Sequence, residues 1–163
     1  MEKAGFSRKQ LDKIFGTKSE STSTEFIKGK EGFRENAYWD VSRWSIGYGT
    51  PAKKGDKISQ DDALTELENE TAKIDKVLSK KITIDLPQES KTALTSFLYN
   101  LGLGIFDKPS SQKLLKAIND KDKKEIEKQY LQFNKVRKNG KLVANKVLTG
   151  RRKDELELLL AKL

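Results

Sequence analysis

Three residues in the first third of the chain, Glu31, Asp40 and Ser45, have side chains that could perform acid-base chemistry together. Glu31 falls in the last turn of an expected helix, where the negative end of the macrodipole disfavours an ionised carboxylate and so favours a proton donor. Asp40 lies in or beside the first strand of an expected hairpin with the polar turn Val41-Ser42-Arg43, so it should stay ionised. Ser45, on the returning strand, presents a hydroxyl that could hold a water against Asp40.

Two carboxylates in unlike environments can act as an acid and a base, which is the arrangement that glycoside hydrolysis uses. A structural alternative explains the same residues: Glu31 ends a helix at the surface, Asp40 forms a turn and Ser45 is a solvated strand position. Spacing alone favours this structural alternative. The rest of the chain must therefore decide between the two.

The composition narrows the chemistry that the chain can perform. Its 163 residues suit one domain or two intimately joined lobes, and they include no Cys and no His. This excludes a disulfide scaffold, a thiol nucleophile, a Ser-His-Asp triad and a zinc site of the usual Cys/His kind. Carboxylates must carry any acid-base chemistry, and we expect neither a metal nor a cofactor.

The charge balance indicates an anionic partner. The chain has 33 Lys and Arg against 24 Asp and Glu, a net charge of +9. Residues 1–81 carry +2 of this charge and residues 82–163 carry +7. The second half should therefore face an anion such as nucleic acid, a membrane or a bacterial wall, and the sign of the charge does not choose among them.

The hydrophobic pattern predicts the elements that would position the candidate residues. A short helix should end at Glu31, because Gly32 can adopt the left-handed conformation that terminates helices. Residues 33–59, rich in aromatic and β-branched residues and glycine, predict a small antiparallel sheet with two turns. Ser59 stands at capping spacing before a long amphipathic helix that runs to Lys80. Further helices are predicted from Pro87 to Leu101, from Ser111 to Asn119, at about 123–133, and from Gly150 to the C-terminus.

Residues 1–21 differ from the rest of the chain. A polar run over residues 17–24 is typical of a linker, and it follows a short apolar stripe formed by Phe6, Leu11, Ile14 and Phe15. No apolar core of the signal-peptide kind is present, and no stretch approaches the ~20 apolar residues of a spanning helix. We expect a soluble protein made in the cytoplasm, in which residues 1–21 are an extension that the chemistry of the remainder does not need.

Five segments resemble, in order, the phage-type lysozymes, which are the endolysin family. The segment KGKEGFRENAYWDVSRWSIGYGT resembles the catalytic segment of that family, SQDDALTELENE its interlobe helix, and LPQESKTALTSFLYNLGLGIF its central buried helix. SSQKLLKAIN and LTGRRKDELELLL are similar to later helices. The resemblance covers residues 22–163 and implies an α+β, lysozyme-like fold. Its parts would be a small antiparallel β lobe at about 32–59, an interlobe helix at about 60–80 and a larger helical lobe at about 82–163.

The resemblance also implies a function. Members of the family are muramidases that cleave the β-1,4 bond between N-acetylmuramic acid and N-acetylglucosamine in peptidoglycan during cell-wall lysis by a phage. The catalytic acid of the family falls on Glu31, its Asp on Asp40, and its water-positioning Thr on Ser45. The loop before Ser45 is one residue shorter than usual and has Arg43 where Gly is common. A water held between Asp40 and the sugar would make the enzyme inverting.

Four further residues are candidates for substrate binding, each with an alternative. Asn100 matches a position that hydrogen-bonds sugar in the family, and it could equally cap its helix. Tyr48 and Tyr99 could stack on saccharide rings, although aromatic residues with this spacing more often belong to a core. Arg151 matches an arginine across the cleft from the catalytic Glu, and its alternative is a solvated position near a helix N-terminus.

Other functions use the same features. A lytic transglycosylase would need the acid but not Asp40. A nucleic-acid-binding module would use the positive charge, yet 27 of the 33 basic residues are Lys, and no known nucleic-acid-binding motif accompanies them. A catalytically dead binder conflicts with the intact pair Glu31 and Asp40. We expect a monomer acting on peptidoglycan with no nucleic-acid partner, either from the host cytoplasm after membrane permeabilisation or from a virion.

Overall fold

The computed structural model describes residues 22–163. The apolar stripe of residues 6–15 and the N-terminal extension over residues 1–21, both predicted above, lie outside these residues. The described part of the chain contains six α-helices and five strands, in the following order: α1 (Thr22–Glu31), β1 (Arg34–Asp40), β2 (Arg43–Gly47), β3 (Thr50–Pro51), α2 (Gln60–Lys81), α3 (Gln88–Leu101), α4 (Gln112–Asn119), α5 (Lys123–Tyr130), β4 (Lys135–Lys138), β5 (Lys141–Ala144) and α6 (Lys146–Ala161). Two 3₁₀ turns, Ile105–Asp107 and Pro109–Ser111, separate α3 from α4.

The chain divides into two compact units, of which the first ends at Leu67 and the second runs from Glu68 to Leu163. The boundary lies inside α2, so this one helix contributes residues to both units. The first unit contains α1 and a three-stranded sheet, and the second contains the remaining helices and a two-stranded hairpin. This mixture of helices and a small antiparallel sheet is the predicted α+β class.

The sheet of the first unit is antiparallel with the order β1-β2-β3. In its first hairpin Trp39 pairs with Trp44, and Asp40 pairs with Arg43. The turn therefore consists of Val41 and Ser42 alone, and the predicted three-residue turn was one residue too long. Arg43 begins β2 because its backbone pairs with Asp40 across the hairpin.

The helix boundaries next to the sheet agree with the sequence signals. Gly32 adopts a φ of +67° and its N–H donates to the Lys28 carbonyl at 3.0 Å, which ends α1 directly after Glu31. At the other side of the sheet, the Ser59 hydroxyl accepts a hydrogen bond of 3.1 Å from the Asp62 N–H and caps α2. These two caps fix where the chain enters and leaves the sheet.

The second unit is built around α3, which is buried along most of its length and packs on α6. Pro87 precedes α3 as predicted, and Gly102 follows it with a φ of +102°. Phe97 lies at the centre of the core, with Phe106, Tyr130 and Phe133 around it at ring-centroid distances of 4.7–6.1 Å. Among residues 22–163, no helix has the length and apolar character that crossing a bilayer requires.

The second unit contains one hairpin in residues 134–149, for which no element was predicted. Strands β4 and β5 form a hairpin whose turn, Asn139-Gly140, has φ values of +49° and +76°. An Asn-Gly pair between short β-prone segments is the usual signal for such a turn, so the sequence carried this information. Helix α6 also begins four residues earlier than predicted, because the Asn145 side chain accepts a hydrogen bond of 2.9 Å from the Leu148 N–H and caps it. Helices α4 and α5 are slightly shorter than predicted.

Candidate active site

The register of β1 and β2 places Asp40 and Ser45 on the same face of the sheet. Tyr38 pairs with Ser45 and Asp40 pairs with Arg43, so these four side chains share one face. The intervening pair of Trp39 and Trp44 points to the opposite face. The hairpin thereby gathers a carboxylate, a phenol, a guanidinium and a hydroxyl on one surface.

Glu31 lies against the turn that follows β2. Gly49 adopts a φ of +93°, and a β-carbon built on it would stand 3.4 Å from Glu31 Oε2. The Gly49 carbonyl accepts a hydrogen bond of 3.3 Å from Arg43 Nη2. Arg43, the residue that replaces the usual glycine, thus holds the backbone against which the Glu31 carboxylate rests.

Tyr38 links the two carboxylates electrostatically. Burial, and then the negative charge of Asp40, raise the pKa of its phenol above the ordinary value, and Glu31 raises it further. The guanidinium groups of Arg34 and Arg43 act in the opposite direction, and Arg34 lies 4.3 Å from the Tyr38 ring centroid. The Tyr38 hydroxyl therefore remains a neutral donor near neutral pH, within the field of both carboxylates.

Sequence reasoning missed Tyr38 and Arg34. A signal for Tyr38 existed, because residues two apart on a strand share a face and Tyr38 is two residues before Asp40. The role of Arg34 could not be predicted, because the strand pairing is irregular between Arg34 and Tyr38 and breaks the simple alternation.

Ser45 is fully buried, which makes the alternative of a solvated strand position wrong. Its Oγ forms no hydrogen bond with any protein atom of the described residues. Buried hydroxyl groups are normally hydrogen-bonded, so an orphaned one is a candidate for a functional contact. The Oγ is also shielded from solvent, so a water would reach it only after a local movement of the surrounding side chains.

The aromatic residues of the first unit differ from the expectations. Tyr48 is only 3% exposed and its ring lies 5.7 Å from that of Phe33, so its burial supports the core alternative over sugar stacking. Trp39 contacts Trp44 edge-to-face at a ring-centroid distance of 5.9 Å. However, Trp39 is 59% exposed and directly precedes Asp40, so it offers an aromatic surface that Tyr48 does not.

In the second unit, polar side chains converge on the fully buried carboxylate of Glu155. Arg151 Nε donates to its Oε1 at 3.2 Å, and Arg152 Nε lies 3.1 Å from its Oε2. Ser96 and Tyr130 donate from their hydroxyls at 2.6 and 3.1 Å. Burial, followed by the charge of Glu155, raises the pKa of Tyr130 well above its ordinary value, so this phenol stays a donor. We call these five residues the Glu155 cluster.

The Glu155 cluster changes the interpretation of Arg151. Its side chain is 8% exposed and bonded to Glu155 and Ser96, so the solvated alternative was wrong. Arg152, which sequence reasoning did not single out, donates from Nη2 to Asn100 Oδ1 at 2.7 Å. Asn100 is half-buried in the last turn of α3, and the neighbouring Tyr99 is half-buried against the core. The cluster therefore fixes the orientation of the Asn100 amide.

Comparisons with known proteins agree with this architecture. The family model for phage lysozyme matches residues 28–155. An endolysin of Acyrthosiphon pisum secondary endosymbiont phage 1 is 31% identical over 135 residues, covering 81% of this chain and 90% of that protein.

Two solved structures are similar over most of the chain. An endolysin from Escherichia coli O157:H7 phage FAHEc1 has a TM-score of 0.76 and 28% identity, covering 91% of this chain and 96% of that chain. The muramidase domain of SpmX from Asticaccaulis excentricus has a TM-score of 0.75 and 28% identity, covering 88% of this chain and 97% of the other. Together with the family match, these likenesses show that the chain belongs to the phage lysozyme family of cell-wall hydrolases.

Proposed function

We propose that this protein is a muramidase that hydrolyses the β-1,4 bond between N-acetylmuramic acid and N-acetylglucosamine, with Glu31 and Asp40 as its catalytic carboxylates. The observation that carries the proposal is the geometry of the β1–β2 hairpin and the turn that follows it: Asp40 lies on the face that Tyr38 and Ser45 share, and Glu31 lies against Gly49 in that turn. Two carboxylates on neighbouring parts of one hairpin supply the acid and the base that glycoside hydrolysis uses. Both belong to the first compact unit.

Glu31 is the general acid in this proposal. It is the last residue of α1 and lies next to the turn at Gly49. A protonated Glu31 would donate its proton to the glycosidic oxygen as the bond to the leaving sugar breaks. The turn at Gly49 supports the carboxylate from one side.

Asp40 is the general base, and Ser45 helps it to hold the attacking water. Asp40 is exposed at the end of β1, so a water and a sugar can reach it. Ser45 supplies a hydroxyl on the same face of the sheet, with its hydrogen-bonding capacity unused by the described protein atoms. Asp40 would take a proton from the water as the oxygen attacks the anomeric carbon of the muramic acid.

Three residues are proposed to bind the substrate. Asn100 would donate from its amide nitrogen to a sugar hydroxyl or acetamide, since Arg152 already occupies its amide oxygen. Exposed Trp39 projects from the opposite face of the hairpin to Asp40, so its ring could contact only a saccharide unit that extends past the hairpin and not the sugar at Asp40. Tyr99 is adjacent to Asn100 and half-buried, and we propose that the exposed edge of its ring contacts the substrate. Arg151 would act through the Glu155 cluster instead of touching the sugar.

The reaction should invert the configuration at the anomeric carbon. A water between Asp40 and the sugar requires the two carboxyl groups to be roughly 6.5–9.5 Å apart, against about 5–5.5 Å for direct attack by a carboxylate. NMR of the fresh product should show the α anomer first. Ser45→Ala should slow the reaction without trapping a covalent intermediate.

Mass spectrometry of the digested peptidoglycan tests the reaction class. Hydrolysis leaves reducing muramic acid ends, whereas a lytic transglycosylase leaves anhydro ends, and the latter result would overturn the hydrolytic role of Asp40. A β product, or a glycosyl adduct on Asp40, would show a retaining enzyme and remove the water-activating role of Asp40 and Ser45.

The biological role proposed here is lysis of a bacterial host from within at the end of a phage cycle. Relatives named as endolysins support this role. Expression in bacteria should leave cells intact until a membrane-permeabilising agent is added, and rapid clearing should follow. Clearing without that agent would show that the protein reaches the wall by another route.

A further inference from the structure

The positive charge of this protein is concentrated in one segment. Residues 128–153 contain nine Lys and Arg and no Asp or Glu, so they account for a charge equal to the net +9 of the whole chain. Arg151 and Arg152 of this segment are buried in the Glu155 cluster. The remaining cations are exposed, and most of them lie on the β4–β5 hairpin and at the start of α6.

We define the basic hairpin surface as residues 135–147. Its five exposed cations are Lys135, Arg137, Lys138, Lys141 and Lys146. Three large apolar side chains stand among them, at exposures of 61% for Leu142, 39% for Val143 and 79% for Val147. In the described residues only two other large apolar side chains are exposed in this way, Trp39 and Val41, and both belong to the β1–β2 hairpin of the first unit.

The register of the hairpin places cations and apolar groups side by side. Arg137 pairs with Leu142, so these two side chains share a face, and Lys138 pairs with Lys141 next to the Asn139-Gly140 turn. Each turn residue has a positive φ, which makes a tight tip that carries two lysines. Because side chains alternate between faces along a strand, Leu142 and Arg137 project from one face of the hairpin, and Lys138 and Lys141 project from the other face together with Val143. Each face therefore carries cations beside an exposed apolar side chain.

A pocket of about 450 Å³ lies at the base of the hairpin, where β5 meets α6. Its lining includes Ala144, Thr149 and Gly150, with Lys146 and Lys153 also on the lining. Small neutral groups between two lysines form a recess that suits a compact anionic head group. The residues that line the recess begin at Ala144, directly after the exposed Leu142 and Val143 in the chain.

We propose that the basic hairpin surface docks on an anionic phospholipid bilayer, with its cations on the lipid phosphates and Leu142 and Val147 in the interfacial region. Lysine and arginine near an anionic bilayer each contribute about 1 kcal/mol, and apolar side chains add to this by leaving water. This membrane contact is peripheral, and it is independent of the proposed hydrolysis.

The side-chain chemistry favours lipid over the other polyanions that a phage protein meets. Residues 135–147 contain no aromatic side chain, whereas proteins that bind saccharides or single-stranded nucleic acid use aromatic rings as stacking platforms. Aliphatic Leu142 and Val147 offer nothing to a sugar or a phosphodiester. A bilayer interface accepts both the cations and the aliphatic groups.

Co-sedimentation of the full chain with lipid vesicles tests the proposal. Anionic vesicles contain phosphatidylglycerol mixed with phosphatidylethanolamine, and the neutral vesicles contain phosphatidylcholine alone. We expect binding to the anionic vesicles only. Lys138→Gln with Lys141→Gln should weaken this binding by roughly 30-fold, as expected from about 1 kcal/mol per cation. The matched control, Lys53→Gln with Lys54→Gln, removes the same charge from an exposed turn of the first unit and should have little effect.

The double variant Leu142→Ser with Val147→Ser separates a bilayer from a simple polyanion. It should lower binding to anionic vesicles by about tenfold and leave retention on a soluble polyanion such as heparin unchanged. Thermal melting shows that each variant is folded.

Three results would overturn the proposal. The first is that the Lys53 and Lys54 control loses as much binding to anionic vesicles as the Lys138 and Lys141 variant. The second is that the Leu142 and Val147 variant binds anionic vesicles as strongly as the wild type. The third is that the wild-type protein binds heparin and does not bind the vesicles. The last result would mean that the surface binds a wall polymer or nucleic acid instead. None of these outcomes depends on whether the protein hydrolyses peptidoglycan.

Discussion

The Glu31 carboxylate lies close to the backbone of Gly49, because a β-carbon built on Gly49 would stand 3.4 Å from Glu31 Oε2. The turn that contains Gly49 therefore forms one wall of the environment of the proposed catalytic acid. Gly49 also has a φ of +93°, which an L-residue with a side chain rarely adopts.

Gly49→Ala should accordingly lower both stability and activity. The strained backbone should cost about 1–3 kcal/mol, and the new methyl group would press on the Glu31 carboxylate. Thermal melting and the initial rate of peptidoglycan clearing measure the two effects. Gly55→Ala is a suitable control, because Gly55 has a similar φ of +89° with no atom near its β position. If both variants lose the same activity, the approach to Glu31 does not matter to catalysis.

Tyr38→Phe should slow hydrolysis while leaving the fold intact. The Phe ring keeps the contact with Arg34 and loses only the neutral hydroxyl, whose pKa both carboxylates raise. Removing this polar group should lower kcat/KM by roughly two- to tenfold, the effect expected for one hydrogen bond to bound substrate, and should shift the pH profile of kcat/KM. Tyr48→Phe makes the same chemical change on a buried ring of the same unit. An unaltered rate and pH profile for Tyr38→Phe would remove Tyr38 from the site.

Glu155→Gln should strongly destabilise the protein. Two buried arginines rely on this carboxylate, and removing one partner of a buried ionic network typically costs about 3–5 kcal/mol. For a chain of this size that corresponds to a fall in Tm of roughly 6–20 °C. Glu157→Gln, at an exposed position of the same helix, should change stability by less than about 0.5 kcal/mol. Equal melting temperatures for the two variants would contradict the structural role of the Glu155 cluster.

Asn100→Ala should raise KM for a soluble oligosaccharide substrate by roughly two- to tenfold, because a hydrogen bond to the sugar is lost. It should also lower Tm, since Arg152 loses an acceptor at 2.7 Å. Asn119→Ala is a matched control. The hydrogen bonds observed for the Asn119 side chain join it to backbone groups, namely the Thr83 N–H and the Lys81 carbonyl. A lower Tm with an unchanged KM would make Asn100 a purely structural residue.

The sequence predicted the local features best. Gly32 and Ser59 carry their signals within four residues, and both caps form as expected. The hairpin at Asn139-Gly140 carried an equally local signal, and it was missed because residues 134–149 were left without a predicted element between two helices. Local signals are sufficient at these positions because the interactions that they describe are themselves local.

Long-range relationships could not be predicted from the pattern. Ser96 and Glu155 are 59 residues apart in sequence and meet only because α3 packs on α6. The burial of Ser45 has the same origin, since alternation along β2 does not show which face of the sheet is covered. The candidate carboxylates were correctly placed at a helix end and a strand end, but their shared neighbour Tyr38 required the register of the hairpin.

The measurement that tests the central claim most directly is the clearing of purified peptidoglycan by wild type, Glu31→Gln and Glu35→Gln under identical conditions. Glu35→Gln is the matched control, because it makes the same change at an exposed position of β1. A glutamine at position 31 cannot donate the proton that the leaving oxygen needs, so the rate should fall by about 10²–10⁴-fold with an unchanged melting temperature, while Glu35→Gln stays near wild type. A folded Glu31→Gln variant that clears peptidoglycan near the wild-type rate would contradict the assignment of Glu31 as the catalytic acid.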